Sequence, residues 1–162
     1  MEIKRIDHYS IRTLDVEASR KFYTEVIGLT VGPRPAFPFP GLWLYNGEPP
    51  ADLEHAHGNY GIVHVMGVDS NDPQGLIDTV GYRDPDTLKG STGALDHVAL
   101  SVTGRAGMLE RCRRLSVSFF ERTVPALGLH QVFIKDPNGI TVELNFPAAE
   151  APQTRSTAAA AA

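Results

Sequence analysis

The sequence has little of several features that define large classes of protein. Its single cysteine, Cys112, cannot form an internal disulfide, so we expect a reducing, cytoplasmic location. Its longest apolar runs are far shorter than the roughly 20 residues of a membrane-spanning helix. Residues 1–8 contain no apolar stretch of the kind found in signal peptides. We therefore expect no membrane association and no secretory leader.

Positive charge is also scarce. The 15 Lys and Arg residues are outnumbered by 19 Asp and Glu, which gives a formal net charge of −4, and no basic run is present. A surface that binds a phosphate backbone has the opposite balance. The hydrophobic content of 42% is ordinary for a globular domain. We expect a small-molecule substrate and no nucleic-acid partner.

What the sequence does contain is the same pattern of elements twice. Alternating apolar residues predict strands, and apolar residues at helical spacing predict one helix in each half. The first half predicts strands over 3–11, 29–32, 41–45 and 61–66, with a helix over 16–26 between Asp15 as N-cap and Gly28 as C-cap. The second half predicts strands over 95–102, 119–124, 130–135 and 140–145, with a helix over 106–115. Each half therefore reads β-α-β-β-β.

This pattern predicts an α+β fold of two βαβββ modules, whose curved mixed sheets surround a common cavity. The first module spans 1–68 and the second 94–146. Residues 69–93, rich in Asp, Gly and Pro, are expected to form an exposed connector. Residues 147–162 end in five alanines and are expected to be a disordered tail without a role.

Four residues at matching places in the two halves are the candidate site: His8, His64, His97 and Glu143. Ile6-Asp7-His8 reappears as Leu95-Asp96-His97, 89 residues later. His64 and Glu143 lie on the final strands of their modules, so a pseudo-twofold axis would bring all four together. Imidazole and carboxylate are the ligands of a catalytic divalent ion such as Fe, Mn, Ni, Co or Zn. The alternative is that each histidine is an ordinary core or surface residue.

Burial strengthens the metal interpretation. The candidates have apolar neighbours two positions away, which predicts a mainly apolar interior around them; these neighbours are Ile6, Ile62, Met66, Leu95 and Ala99. An ionised carboxylate buried there without a partner would cost several kcal/mol. A metal ion would remove that cost.

The other histidines and the aromatic residues are weaker candidates. His55 and His57 lie in a polar loop and are expected to be solvated, whereas His130 could support the site from strand seven. The Pro-rich aromatic segment 38–45 either belongs to the core or lines an apolar pocket. Four basic residues could form a charged entrance: Arg12, Arg20, Lys21 and Arg34.

Over residues 3–146 the sequence resembles the vicinal oxygen chelate superfamily, which includes glyoxalase I, bleomycin-resistance proteins, fosfomycin-resistance enzymes, methylmalonyl-CoA epimerase and extradiol dioxygenases. The resemblance is carried by Ile6-Asp7-His8, Phe22-Tyr23 with Ile27-Gly28-Leu29, Leu95-Asp96-His97, and the segment 133–144, in which Asp-Pro-Asn-Gly begins seven residues before Glu143. It implies a metal that binds two neighbouring oxygens of a substrate. It also implies that His8, His97 and Glu143 are ligands, and that the protein is a homodimer.

The residue type at position 64 distinguishes the chemistries that the resemblance implies. Bacterial glyoxalase I has Glu at this position and the epimerase has Gln, so His64 is either a fourth ligand or an acid/base. Extradiol dioxygenases use a further unligated His, but they carry Tyr ten residues before the ligand Glu, where this chain has Phe133. We therefore favour proton transfer of the lyase or isomerase type, with His64 and Glu143 as catalytic residues. The alternatives are an Fe(II) extradiol-type dioxygenase and a non-catalytic small-molecule or drug-binding protein.

Overall fold

The computed structural model describes residues 6–81, 85–88, 92 and 95–151. The chain forms two compact units, Met1–Asp96 with Lys135–Thr141, and His97–Ile134 with Val142–Ala162. Each unit contains a four-stranded mixed sheet, so the fold is α+β as predicted. Within the described ranges, no helix is long and apolar enough to cross a membrane.

The first unit is built on a sheet with the strand order β1-β4-β3-β2. Its strands are β1 Tyr9–Thr13, β2 Thr30–Gly32, β3 Gly41–Tyr45 and β4 Val63–Gly67. β1 runs parallel to β4, and the other pairs are antiparallel. The register places Trp43 of β3 opposite His64 of β4. The predicted strand over 3–11 starts later than expected, so His8 lies just before β1 instead of within it.

The helical segment of the first unit begins at the predicted cap. Asp15 accepts a hydrogen bond from the backbone N–H of Ala18 at 2.8 Å, and α1 spans Val16–Lys21. The segment then continues as a π-helix over Phe22–Ile27, where a single α-helix was expected. Gly28 ends it with φ of 94°, a left-handed conformation that glycine adopts without steric cost.

The turn at residues 136–139 is fixed within the first unit. The Asp136 carboxylate accepts hydrogen bonds from the backbone N–H groups of Asn138 and Ile140, each at 2.8 Å. It also accepts one from the hydroxyl of Tyr23 at 3.1 Å. A buried carboxylate with this many donors is well satisfied, so this Asp-Pro-Asn-Gly turn is a structural anchor.

The second unit repeats the topology of the first, with the order β5-β8-β7-β6. Its elements are β5 His97–Ser101, α3 Arg105–Arg114, β6 Phe119–Val124, β7 Leu129–Lys135 and β8 Thr141–Pro147. The core takes buried residues from α3 and from one side of the sheet, among them Leu109, Val132, Val142 and Phe146. Cys112 is fully buried and burial raises the pKa of its thiol, which disfavours a nucleophilic role.

A polar network lies on the α3 side of this sheet. The Glu121 carboxylate accepts from His130 Nε2 at 2.9 Å and from Arg105 Nε at 2.8 Å. Burial raises the pKa of Glu121, but its bonds with these two basic residues outweigh burial and lower it overall. Since neighbouring residues of a strand face opposite sides, His130 points away from the face that holds Gln131 and Glu143. His130 therefore does not support the candidate site.

The structure differs from expectation in the connector and the tail. The connector contains α2, Gln74–Val80, in which Leu76 is buried, and Arg12 donates to the carbonyls at the end of this helix. The tail continues β8 and then forms a short 3-10 turn, Ala148–Glu150. The Glu150 carboxylate accepts from the N–H groups that begin α3, which explains why this segment is ordered. The expected tail over 152–162 lies outside the described residues.

Candidate active site

In the second unit, Glu143 is a buried carboxylate with a fixed orientation. It lies on β8 with an exposed fraction of 5%. Its Oε1 accepts hydrogen bonds from Gln131 Nε2 at 2.7 Å and from Asn145 Nδ2 at 2.8 Å. Its Oε2 is 3.4 Å from His97 Nε2, on the first residue of β5. Two amides therefore hold one oxygen and direct the other toward an imidazole nitrogen.

The separation between Glu143 and His97 suits two ligands of one ion. Metal–nitrogen and metal–oxygen bonds are about 2.0–2.2 Å long, so ligand atoms that share a tetrahedral ion lie about 3.3–3.6 Å apart. The observed 3.4 Å falls within that range. Outer hydrogen bonds of the kind made by Gln131 and Asn145 are typical supports of ligating carboxylates. This pair therefore fits the divalent metal that the sequence predicts.

In the first unit, His8 and His64 form a stack of rings. Their centroids are 3.9 Å apart with an angle of 21° between the planes. Trp43 covers the other face of His64, at 4.0 Å and 8°. The strand register explains the arrangement, because Trp43 lies directly opposite His64 on β3. His64 is buried between an indole and a second imidazole, so its ring orientation is fixed.

The hydrogen bond of His64 also fixes its tautomer. Its Nε2 lies 2.7 Å from the carbonyl oxygen of Tyr60. Because a carbonyl only accepts, Nε2 must carry the proton and Nδ1 keeps its lone pair. Burial lowers the pKa of His64, although the bond to Tyr60 acts in the opposite direction. The lowered pKa favours a neutral imidazole, whose Nδ1 lone pair could bind a metal or accept a proton.

His8 has a different support. Its Nδ1 is 2.8 Å from the carboxylate of Asp7, and about a third of its side chain is exposed, 37%. A carboxylate on one ring nitrogen commonly orients a ligating histidine and leaves the other nitrogen for the metal. The bond to Asp7 therefore leaves Nε2 of His8 as the ring nitrogen that could bind a metal.

A cavity of about 210 Å³ opens beside the His8–His64 stack within the first unit. Its remaining walls include aromatic residues, one positively charged side chain and the end of α2. The main contributors are Arg34, Phe37, Phe39, Trp43, Thr79 and Val80. Trp43 and Phe39 thus line a pocket, which favours the second of the two roles considered for the aromatic segment. The other predicted entrance residues are engaged elsewhere, since Arg12 binds α2 and both Arg20 and Lys21 pair with Glu17.

The predicted site residues occur in the structure as two pairs, His8 with His64 and His97 with Glu143. Among the described residues, no group of three or more His, Cys, Asp or Glu side chains is placed to hold a metal ion. The convergence of all four stays a prediction. The expected apolar surroundings are partly wrong, because Ile6 is 87% exposed and Leu95 is 47% exposed.

Some residues that shape the site were missed in the sequence. Gln131 and Asn145 orient Glu143, and strand alternation placed Asn145 on the same face as Glu143. Gln131 stands out as a polar residue within the apolar run of β7. Arg34 was predicted only as one of four basic residues that could form a charged entrance, and its place beside the cavity was not predicted. His55 is exposed and paired with Asp52, as expected for a solvated histidine.

The sequence profile of the Glyoxalase/Bleomycin resistance protein/Dioxygenase superfamily matches residues 5–144, most of the chain. The chain belongs to this superfamily. The superfamily commonly binds a divalent metal and includes enzymes as well as non-catalytic members. The match confirms the resemblance drawn from the histidine and Asp-Pro-Asn-Gly segments.

Solved structures of the superfamily share the fold of this chain. Lactoylglutathione lyase from Agrobacterium tumefaciens is 16% identical with a TM-score of 0.58, over 93% of this chain and 99% of that one. A glyoxalase/bleomycin resistance protein/dioxygenase from Nocardioides is 18% identical with a TM-score of 0.59, over 91% and 85% of the two chains. At these identities the likeness shows the fold alone. No functionally curated protein matches the sequence significantly.

Proposed function

We propose that this protein is a divalent-metal-dependent enzyme that catalyses proton transfer, of the lyase or isomerase type, on a small oxygenated substrate. The observation that carries the proposal is the fixed orientation of Glu143. A buried carboxylate whose free oxygen is aimed at an imidazole 3.4 Å away suits a ligand pair better than a structural ion pair.

The ligands in this proposal are those that the superfamily resemblance implies, His8, His97 and Glu143. Imidazole and carboxylate donors are compatible with Fe, Mn, Ni, Co or Zn. Such a metal supplies a Lewis acid that stabilises negative charge developing on the substrate oxygens. Gln131 and Asn145 hold Glu143 in position throughout, because their amide donors remain on its other oxygen.

His64 is proposed as the acid/base. The Tyr60 carbonyl holds the proton on Nε2, so Nδ1 can accept a proton from a carbon next to a substrate carbonyl and return it. Trp43 holds the ring in place by stacking. The cavity beside the two histidines would receive the substrate and shield it from water.

Two further properties belong to this proposal. Dimerisation is proposed from the superfamily resemblance. A cytoplasmic location is proposed because the single, buried Cys112 needs no oxidising compartment.

Metal content is the first test of the proposal. Wild-type protein purified without added metal is expected to hold about one divalent ion per chain by elemental analysis. His97→Ala should lose most of it, because a first-shell nitrogen is removed. His55→Ala is the matched control, since His55 is exposed and bonded only to Asp52, and should retain the ion. Normal metal content in His97→Ala would remove His97 from the ligand set.

Solvent exchange distinguishes the chemistries. The proposal expects the wild-type enzyme to exchange a carbon-bound proton of a dicarbonyl or thioester with deuterium, and His64→Gln to exchange it far more slowly. Oxygen uptake with simple catechols would instead indicate a dioxygenase, although this chain has Phe133 where the resemblance to extradiol dioxygenases expects Tyr. Unaltered ligand bound equally well after metal removal would indicate a binding protein.

A further inference from the structure

We propose that Arg34 makes the cavity beside His64 a binding site for the carboxylate of a small aromatic acid. This inference deepens the proposed function by naming a substrate class for the same site. It depends on the environment of Arg34 and on the size and walls of the cavity.

Arg34 is held in place before any ligand binds. Its Nη1 donates to the carbonyl of Gly41 and its Nη2 to the carbonyl of Phe39, each at 3.2 Å. Its guanidinium carbon also lies over the rings of Phe37 and Phe39, at 5.3 and 5.2 Å. A guanidinium has five N–H donors, so three remain after the two carbonyl bonds. The guanidinium of Arg34 is therefore preorganised, and three of its N–H donors remain for a ligand.

The charge of Arg34 has no anionic partner among the described residues. Its contacts are two neutral carbonyls and two aromatic rings. The described walls of the cavity contain no Asp or Glu. Partial burial lowers the pKa of the Arg34 guanidinium, because it removes part of the water that solvates the charge. A carboxylate is the group that a guanidinium fork binds best in this situation, through two parallel hydrogen bonds.

The size and walls of the cavity define the rest of the ligand. A volume of about 210 Å³ corresponds to about seven water molecules at liquid density, so a single ring with one carboxylate suits it. Phe37, Phe39 and Trp43 provide aromatic walls, and Val80 closes the side formed by α2. Aromatic side chains favour offset or edge contacts with another ring. Benzoate is thus the simplest probe of the site.

Binding of benzoate tests the proposal directly. Trp43 is the single tryptophan of the chain and lines the cavity, so its fluorescence reports binding. We expect saturable benzoate binding, with benzamide at least about tenfold weaker because it lacks the charge that Arg34 pairs with. Arg34→Gln should lose at least about tenfold in benzoate affinity, whereas Arg20→Gln, which removes the same charge at the Glu17 pair, should bind benzoate like wild type.

The titrations are performed with and without a chelator, which separates this inference from the proposed metal site. Benzoate binding that persists after chelation supports the Arg34 site, whatever the metal analysis shows. Binding lost on chelation would assign the carboxylate to the metal and overturn the inference. Equal affinity for benzoate and benzamide, no saturable benzoate binding, or unchanged benzoate affinity in Arg34→Gln would also overturn it. If Arg34→Gln does not fold, the ratio of the benzoate and benzamide affinities of the wild-type protein tests the inference by itself.

Discussion

Gln131 provides a sharp test of how the second unit positions Glu143. Gln131 is 5% exposed, and its amide nitrogen donates to Glu143 Oε1 at 2.7 Å and to Asn145 Oδ1 at 2.9 Å. Gln131→Leu removes both donors at nearly constant volume. The carboxylate of Glu143 then keeps only the bond from Asn145 at 2.8 Å. We expect its free oxygen to lose part of its fixed direction toward His97.

The size of the effect follows from the bond that is lost. A hydrogen bond to a charged group contributes about 1.5–3 kcal/mol, and about 1.4 kcal/mol corresponds to a factor of ten in affinity. Loss of an outer-sphere partner typically weakens metal binding about 10- to 100-fold. Because the bond from Asn145 remains, we expect the lower end of this range, about tenfold.

The assay is competition for Zn²⁺ or Ni²⁺ against a chelating dye, at constant pH and with folding checked by circular dichroism. Gln74→Leu is the matched control, since Gln74 bonds to Asp78 on the exposed side of α2. That variant should bind metal like wild type. The double variant of Gln131 and Asn145 should lose more than the sum of the single losses, because no donor then holds Oε1.

Two results would refute this reasoning. Metal affinity of Gln131→Leu within about twofold of wild type would mean that the amide does not orient the ligand oxygen. An equal loss in Gln74→Leu would mean that the effect is general and does not arise at Glu143.

The remaining predictions concern stability. Gly107→Ala should raise the free energy of unfolding by about 0.5–1 kcal/mol, because Gly107 lies within α3 and an added Cβ meets no atom within 4 Å. Gly75→Ala in α2 should lower the free energy of unfolding despite the same helical gain, because its Cβ would lie 1.9 Å from the carbonyl oxygen of Pro38. Urea denaturation of both variants tests these two predictions. A stabilised Gly75→Ala would contradict the second. The pKa of Glu121 in the folded state lies below its ordinary value of 4.5. The ionised carboxylate therefore stabilises the protein above pH 4.5, and this contribution is lost as the pH falls through the folded pKa. Glu121→Gln should therefore be less stable than wild type at neutral pH and approach it in acid; a difference that does not change between pH 7 and 3 would exclude this role.

Local rules in the sequence determined most of the elements. Strand β3 and strand β6 occur at their predicted bounds, because both segments contain aromatic or β-branched residues, which favour strands locally. Asp15 and Gly28 occupy their predicted cap positions because capping depends on the few residues next to the helix end. The repeated Asp-His segments and the Asp-Pro-Asn-Gly segment were sufficient to identify the superfamily.

Long-range contacts decided what these rules could not. Helix α2 in the connector accepts hydrogen bonds from Arg12 of β1, and Tyr23 in the π-helical segment donates to Asp136. No short window of sequence contains these contacts. The ordered turn at 148–150 depends on Glu150 reaching the start of α3, about 45 residues away along the chain.

The candidate site divides in the same way. The sequence by itself determined which residues have side chains that could bind a metal. It also determined that these residues lie at equivalent positions, since this follows from the repeat. Only the tertiary structure decided how each is held: Glu143 by two amides from neighbouring positions of the sheet, and His64 between Trp43 and a backbone carbonyl. It also decided that Arg34 lines the cavity with no anionic partner among the described residues. The physical reason is that orientation, tautomer and desolvation depend on strand register and on side chains far apart in sequence, whereas ligand chemistry is a property of each residue alone.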